Sequence, residues 1–221
     1  MNIIITILNN LDIIGPFLAI IIVCFRLNKL TPELKMILFF CVVQVLCNTT
    51  AQVFAYYKAN NYWIYKVNTM LSFISILVLF TRYLLLGTAL AKGALAGLFI
   101  AISFTPIFFG DGIVSYNSNS AALTSIVIVC YCLYYFYIKL IHSSPEDSAP
   151  STPVFWCVVG LFTYYAGAFF IFISYKLLIE QDGGASVGTL WRFHNLLLFI
   201  CSMYIGYGIL CKPYQKISYS Y

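Results

Sequence analysis

The last apolar stretch of the chain, Leu190 to Leu210, reads LWRFHNLLLFICSMYIGYGIL. Its 21 residues are enough for a helix to cross a hydrocarbon core of roughly 30 Å. Its first turns carry Trp191, Arg192, His194 and Asn195, which are costly to place at the edge of a membrane unless they face other helices or water. The stretch therefore predicts a membrane-spanning helix whose polar end belongs to a helical bundle.

The composition of the chain also indicates a membrane protein. Of 221 residues, 62% are hydrophobic and 9% are charged, and the mean hydropathy is +0.92, whereas soluble domains are about half apolar and one-quarter charged. Lys and Arg exceed Asp and Glu by 12 to 7. This excess suits anionic lipid head groups, so we expect the lipid bilayer as a partner, no nucleic acid and no cofactor. The opening MNIIITILNNLDIIGP lacks a basic n-region and a small-residue cleavage site, which predicts a retained first span.

Further apolar runs, separated by polar turns, predict an all-α, polytopic protein with seven transmembrane helices in a single domain, 1–221. The predicted spans are about 3–25, 34–57, 63–86, 91–109, 121–141, 154–178 and 190–210. With the N-terminus outside, 8 of the 12 basic residues lie on the cytoplasmic side. Because basic residues favour cytoplasmic loops, we expect the N-terminus outside and the C-terminus in the cytoplasm.

Polar and small side chains recur at helical spacing within the spans. Gln44, Asn48 and Gln52 are four residues apart and form one stripe of the second span. Spans three, six and seven carry comparable faces. In span three the residues are Asn68, Ser72, Ser75 and Arg82. In span six they are Gly160, Thr163, Gly167 and Ser174, and in span seven Asn195, Ser202 and Gly206. These faces predict a bundle with a polar interior and, in span six, a seam of small residues for close helix contact.

The depth of the polar residues predicts where they meet. At 1.5 Å per residue, Asp12 and Asn48 lie roughly 13 Å from the outer surface, and Gln52, Asn68 and His194 roughly 7 Å. A carboxyl group at that depth has to be hydrated, hydrogen-bonded or protonated. Our hypothesis is an outward-opening polar pocket around Asp12 and His194. The alternative is a set of interhelical hydrogen bonds that only lock the helices, each worth about 1 kcal/mol or less.

The candidate ligand-binding residues of this pocket are Asp12, Asn48, Gln52, Asn68, Tyr165, Trp191, His194 and Asn195. Arg82 lies about 15 Å deeper than Asp12 by the same rise. We therefore expect no direct pair between them, and a structural role for Arg82 with its side chain extended to the cytoplasmic face.

Several chemistries are excluded by missing residues. No lysine lies in the middle of the last span to form a retinal Schiff base, and two histidines are too few for a histidine-rich zinc site. No glycine-rich phosphate loop and no nucleophile elbow occur. We therefore expect no catalytic residues and no metal. The one enzymatic alternative is an intramembrane acid–base pair of Asp12 and His194.

Two stretches carry a family resemblance, PVFWCVVGLFTYYAGAFFIF (Pro153 to Phe172) and LWRFHNLLLFICSMYIGYGILCKP (Leu190 to Pro213). They resemble the end of the uncharacterised multi-helix membrane regions that precede sensor histidine kinases in Bacteroidota. The matching positions are Phe155, Trp156, Gly160, Tyr165, Gly167, Leu190, Trp191 and His194. The resemblance implies a sensory-type module of a bacterial inner membrane. Because nine residues follow Lys212, we expect it to stand alone, without a kinase, and to act through a partner.

The first interpretation is thus a non-enzymatic, receptor-like membrane module. It binds a small or lipophilic ligand in the outer-half pocket and signals through a membrane or cytoplasmic partner protein. One alternative is a small-molecule transporter or channel, since seven spans suit two three-helix halves around a central helix. Another is an accessory subunit of a larger membrane complex.

Overall fold

The computed structural model describes residues 3–25, 30–84, 118–142, 152–182 and 186–210. All regular secondary structure in these ranges is helical. The helices are α1 (Ile3–Cys24), α2 (Pro32–Tyr56), α3 (Tyr62–Val78), α4 (Ser118–His142), α5 (Pro153–Asp182) and α6 (Val187–Leu210). Helix α3 continues directly into a π-helical segment, Leu79–Leu84.

In the described ranges, six helices are long and apolar enough to cross a membrane, with α3 and the π-helical segment counted as one. This confirms the all-α class and is compatible with the predicted membrane protein. The predicted fourth span, 91–109, lies outside the described residues. Large apolar side chains cover the outside of the bundle, and Phe17, Leu46 and Phe170 are 52%, 62% and 67% exposed. Such a surface suits lipid chains, because it would be unfavourable in water.

The helices extend beyond the predicted spans at several ends. Ser118 to Ser120, predicted as loop, form the first turn of α4, and α5 extends to Asp182, beyond the predicted span. The ends differ because the predicted spans followed the apolar runs, whereas the helices include polar residues that flank those runs.

The first and last described helices, α1 and α6, lie side by side and run in the same direction. Contacts advance along both helices together, which requires a parallel arrangement. The contacting pairs, in chain order, are Leu8 with Asn195, Gly15 with Ser202, and Ile22 with Gly206. The predicted stripe Asn195, Ser202 and Gly206 is therefore the face of α6 that contacts α1.

The other neighbouring helices are antiparallel. Helix α2 packs against α1 and α3, and α5 packs against α4 and α6. For α1 and α2 the pairs are Asp12 with Asn48 and Asn9 with Gln52, and for α2 and α3 they are Gln44 with Ser72 and Ala51 with Asn61. For α4 and α5 they are Phe136 with Phe155 and Cys132 with Tyr165, and for α5 and α6 they are Tyr164 with His194 and Pro153 with Gly208.

Helices α3 and α4 consequently run in the same direction. Helix α3 is parallel to α1 because both oppose α2, and α4 is parallel to α6 because both oppose α5. The two meet where Phe80 stacks on Tyr131 with ring centroids 5.6 Å apart. The chain thus leaves α3 at one end of the bundle and enters α4 at the other.

The apolar core lies between these helices and supports the polar residues of the site. Ile37, Phe80, Leu161 and Ile205 are among its completely buried large side chains. The predicted small-residue seam of α5 contacts α6, where Gly160 lies against the Cys201 carbonyl. These close contacts hold α5 and α6 at the distance that the polar contacts between them require.

Candidate functional site

A proline creates the first feature of the candidate site. Pro16 lies inside α1 and has no N–H, so the carbonyl oxygen of Asp12, four residues earlier, has no intrahelical donor. The side-chain amide of Asn48 on α2 donates a hydrogen bond of 3.2 Å to this oxygen. A buried carbonyl freed in this way needs a partner inside the membrane. Asn48 is therefore a structural complement of Pro16.

Asn48 belongs to a buried hydrogen-bond network between α2 and α3. Asn68 Nδ2 donates to Gln44 Oε1 at 3.1 Å, Gln44 Nε2 donates to Ser72 Oγ at 3.0 Å, and Ser72 Oγ donates to Asn68 Oδ1 at 3.1 Å. Asn48 Nδ2 approaches Gln44 Oε1 at 3.5 Å. The predicted stripes of spans two and three thus face each other, and their donors and acceptors satisfy one another.

A second polar chain joins α1, α6 and α5. Asn195 Nδ2 donates to the carbonyl oxygens of Leu8 and Asn9 at 3.3 and 3.2 Å. Its Oδ1 therefore faces His194 Nδ1, at 3.5 Å, and His194 Nε2 lies 2.8 Å from the Tyr164 hydroxyl. Because the amide oxygen can only accept, Nδ1 carries the proton and Nε2 accepts from Tyr164.

Aromatic rings enclose the His194 imidazole. Trp191 stacks on it with ring centroids 5.0 Å apart and an interplanar angle of 21°. Phe172 lies 5.5 Å away on α5. On its other side Trp191 meets the Tyr65 ring of α3 at 5.2 Å and hydrogen-bonds its hydroxyl. This arrangement fixes the imidazole between α5 and α6 and links it to α3.

The Asp12 carboxyl lies between these two polar groups. Asp12 is 5% exposed, and no described residue supplies a hydrogen bond to its buried Oδ1 atom. The carboxyl group interacts with the backbone N–H groups of Asp12 and Ile13. It is also close enough to the hydroxyls of Tyr65 and Tyr164 to interact with them electrostatically. A buried carboxyl oxygen without a partner is unusual in a folded protein.

Above Asp12, polar groups form a rim at the end of the bundle where α1 begins. Asn9 is exposed and lies three residues before Asp12, about 4.5 Å along the helix axis. Its carbonyl oxygen accepts from Gln52 at 3.3 Å, and its Oδ1 accepts from Arg192 Nε at 3.2 Å. The buried carboxyl is thus about one helical turn below exposed polar groups.

The structure brings most of the predicted site residues together, but in two groups. Asp12, Asn48 and Asn68 lie in or beside the α2–α3 network, whereas Trp191, His194 and Asn195 form the α6 group. None of the hydrogen bonds of the described residues joins the Asp12 carboxyl to His194. The geometry therefore gives no direct acid–base pair.

Two predicted residues lie away from the Asp12 carboxyl. Tyr165 is buried and interacts electrostatically with Cys132 and Cys201, whereas its neighbour Tyr164 contacts His194 and interacts with Asp12. Arg82 is exposed in the π-helical segment, with its guanidinium 5.7 Å from the centre of the Tyr83 ring. It does not share the buried face of Asn68 because the wider π-helical turn changes the direction of later side chains.

Tyr164 and Tyr65 were missed in the sequence, although both lie close to Asp12. In a span rich in aromatic residues, the sequence does not show toward which neighbouring helix a tyrosine side chain points. Within the described ranges, no three side chains of the types that usually bind metals come together. No protein family, no curated protein and no solved structure matches the chain.

Proposed function

We propose that this protein is a receptor-like sensory module of the membrane that binds a small ligand at the Asp12 carboxyl. The observation that carries the proposal is the buried Oδ1 atom of Asp12, for which no described residue provides a hydrogen bond. A polar group in such a position inside a membrane protein most often belongs to a functional site. The ligand would supply the missing partner.

The purely structural alternative explains the other polar residues better than it explains Asp12. Gln44, Asn68 and Ser72 satisfy one another, and Asn48 satisfies the carbonyl oxygen of Asp12. Within the described ranges, the Asp12 side chain forms no hydrogen bond to another helix. Interhelical locking therefore gives no reason for a carboxyl group at this position.

The contacts around Asp12 support α6 as the output helix. Asp12 lies on α1, and Asn195 of α6 is hydrogen-bonded to the α1 backbone one turn earlier. A ligand that displaces α1 at Asp12 would thus move α6 through Asn195. A membrane or cytoplasmic partner protein would read the displacement of α6. The likeness of this helix to the last membrane helix before sensor kinases supports the same assignment.

We also propose a seventh crossing, with the N-terminus outside, in the inner membrane of a bacterium. The parallel directions of α3 and α4 support the additional crossing, because residues 85–117 have to connect opposite ends of the bundle. The distribution of basic residues supports the orientation. The rim of Asn9, Gln52 and Arg192 would then face outward, and the ligand would arrive from that side.

Native mass spectrometry of the purified protein tests ligand binding. We expect a bound small molecule on the wild type and its loss from Asp12→Asn, which has nearly the same volume but no negative charge. Thr50→Val is the matched control, because the Thr50 hydroxyl is on an exposed face and bonds only to Leu46 of its own helix. Retention of the same molecule by a folded Asp12→Asn protein would contradict the proposal.

A further inference from the structure

We infer that the ligand of the Asp12 site is a small protonated amine. The inference rests on the proposed function and adds the chemical class of the ligand. It follows from the supply of hydrogen-bond donors around the carboxyl, from its charge, and from the aromatic rings nearby.

The polar side chains near Asp12 direct their N–H and O–H groups elsewhere. Asn48 donates to a backbone carbonyl, Tyr164 donates to His194, and Trp191 donates to Tyr65. The amide of Asn195 donates to the α1 carbonyls. A carboxylate can accept several hydrogen bonds. The group that completes this site therefore has to bring its own donors, as an ammonium group does.

The charge of the site also favours a monovalent cation. Asp12 is the one carboxylate at this position, and no basic side chain of the described ranges forms an ion pair with it. A single buried carboxylate is matched by one positive charge. A divalent metal ion would leave an excess charge and would require several further oxygen ligands.

Aromatic side chains provide the remaining contacts that an ammonium group favours. The hydroxyls of Tyr65 and Tyr164 lie within electrostatic range of the Asp12 carboxyl, and the Trp191 ring packs against Tyr65. A hydroxyl oxygen can accept a hydrogen bond, so Tyr65 and Tyr164 offer acceptors for the further N–H groups of an ammonium ion. Exposed Asn9, about one helical turn above Asp12, marks the end from which an amine would enter.

Thermal unfolding of the purified full chain with defined cations tests this inference. The probes are methylammonium, tetramethylammonium, Na⁺ and K⁺ chlorides at one ionic strength and one pH. We expect methylammonium to raise the unfolding midpoint of the wild type in a saturable manner. At a concentration 100 times its Kd, the ratio of folded to unfolded protein rises about 100-fold. Tetramethylammonium, which has the same charge but no N–H donor, is expected to have a smaller effect.

The variants connect the effect to Asp12. Asp12→Asn is expected to lose the response to methylammonium, and Glu33→Gln, which removes a carboxylate from the first turn of α2, is expected to keep it. If Asp12→Asn does not fold, calorimetric titration of the wild type with methylammonium and tetramethylammonium makes the same comparison without a variant.

Three results would overturn the inference. They are an equal response to both ammonium ions, an Asp12-dependent response to Na⁺ or K⁺ alone, and a response that Asp12→Asn retains. A neutral or anionic molecule that co-purifies with the wild type and is lost from Asp12→Asn would overturn the amine assignment and keep the proposed function. Absence of any Asp12-dependent ligand would overturn both the amine assignment and the proposed function.

Discussion

At the scale of single residues, the site depends on two acceptor groups of Asp12, its backbone carbonyl and its side-chain carboxyl, which have different surroundings. Its backbone carbonyl is freed by Pro16 and is satisfied by Asn48, whereas no described residue donates a hydrogen bond to its buried Oδ1 atom. The first contact holds α1 against α2. The second group is the one that we propose binds a ligand.

The partnership of Pro16 and Asn48 predicts a coupled mutant cycle. Asn48→Ala leaves the Asp12 carbonyl without a donor, and we expect it to lower the free energy of unfolding by about 1–2 kcal/mol. In a Pro16→Ala background the new N–H of residue 16 can donate to that carbonyl. The cost of Asn48→Ala should then fall by about 0.5–1 kcal/mol. Unfolding by SDS in mixed micelles measures both values.

Gln44→Ala is the control for this cycle. Gln44 is in the same network but does not contact the Asp12 carbonyl. Its cost should therefore be the same with and without Pro16. Equal coupling of Pro16 to Asn48 and to Gln44 would show that the proline acts through helix geometry and not through this hydrogen bond.

The adjacent tyrosines of α5 predict a difference between two similar substitutions. Tyr164→Phe removes the donor to His194 Nε2, and we expect a loss of about 1–2 kcal/mol in unfolding free energy. Tyr165→Phe removes a hydroxyl for which the described residues provide no hydrogen bond, and its cost should be within about 0.5 kcal/mol. The same SDS titration applies. A larger cost at Tyr165 would contradict the assigned geometry.

These residues also show what the sequence could predict of the site. Spacing of four residues placed Gln44, Asn48 and Gln52 on one helix face, and the depth count placed Asn48 and Asn68 in the same outer half of the bundle. The choice between Tyr164 and Tyr165 could not be made, because adjacent helical residues point about 100° apart and both tyrosines suit a buried position. The sequence signal for the free carbonyl of Asp12 is the proline four residues later, Pro16.

At the scale of helices, close packing of α5 on α6 positions the Tyr164–His194 contact. The two helices touch over their length, and glycines permit the approach at both ends. A Cβ added at Gly208 would lie 2.5 Å from the carbonyl oxygen of Pro153, which cannot move without the helix. A Cβ added at Gly167 would meet the end of the Leu197 side chain, which can rotate.

This difference predicts a ranking of three alanine substitutions. Gly208→Ala should lower the unfolding free energy by about 1–3 kcal/mol, because the backbones have to separate. Gly167→Ala should cost less. Gly188→Ala is the control, since no atom lies within 4 Å of the added Cβ. A Gly208→Ala protein as stable as Gly188→Ala would mean that α5 and α6 pack differently.

The helices themselves could be predicted from the sequence more reliably than their ends or partners. Long apolar runs predicted each of the six described helices, and Gly160 and Gly167 predicted a close contact of the sixth predicted span. The π-helical segment at Leu79–Leu84 had no signal in an evenly apolar stretch. The sequence also does not show which helix packs against each polar or small-residue face, because several helices carry such faces.

At the scale of the whole molecule, the directions of the helices constrain the topology. Parallel α3 and α4 support the proposed additional crossing of the chain, and parallel α1 and α6 place the beginnings of both helices on one side. Together with the basic residues, this predicts which connections are outside. Sequence alone could count apolar runs but could not establish which helices are parallel.

Epitope insertion tests the predicted orientation. A tag between Ala59 and Asn60 should bind antibody on intact spheroplasts, because the proposed orientation places this connection on the outer side. A tag between Leu30 and Thr31 should bind only after permeabilisation. Membrane insertion of both proteins is checked by their resistance to carbonate extraction. The reverse pattern would place the rim of Asn9 and Arg192 in the cytoplasm and would contradict ligand entry from outside.

The contact between α1 and α6 has a consequence for biosynthesis. Asn9 and Arg192, which meet in the finished protein, are separated by 183 positions. At a translation rate of 5–20 residues per second, this separation corresponds to roughly 10–40 s. During that interval the nascent α1 carries Asp12 without the helix that later packs against it, so the contact between the two helices forms only after the final helix has been synthesised.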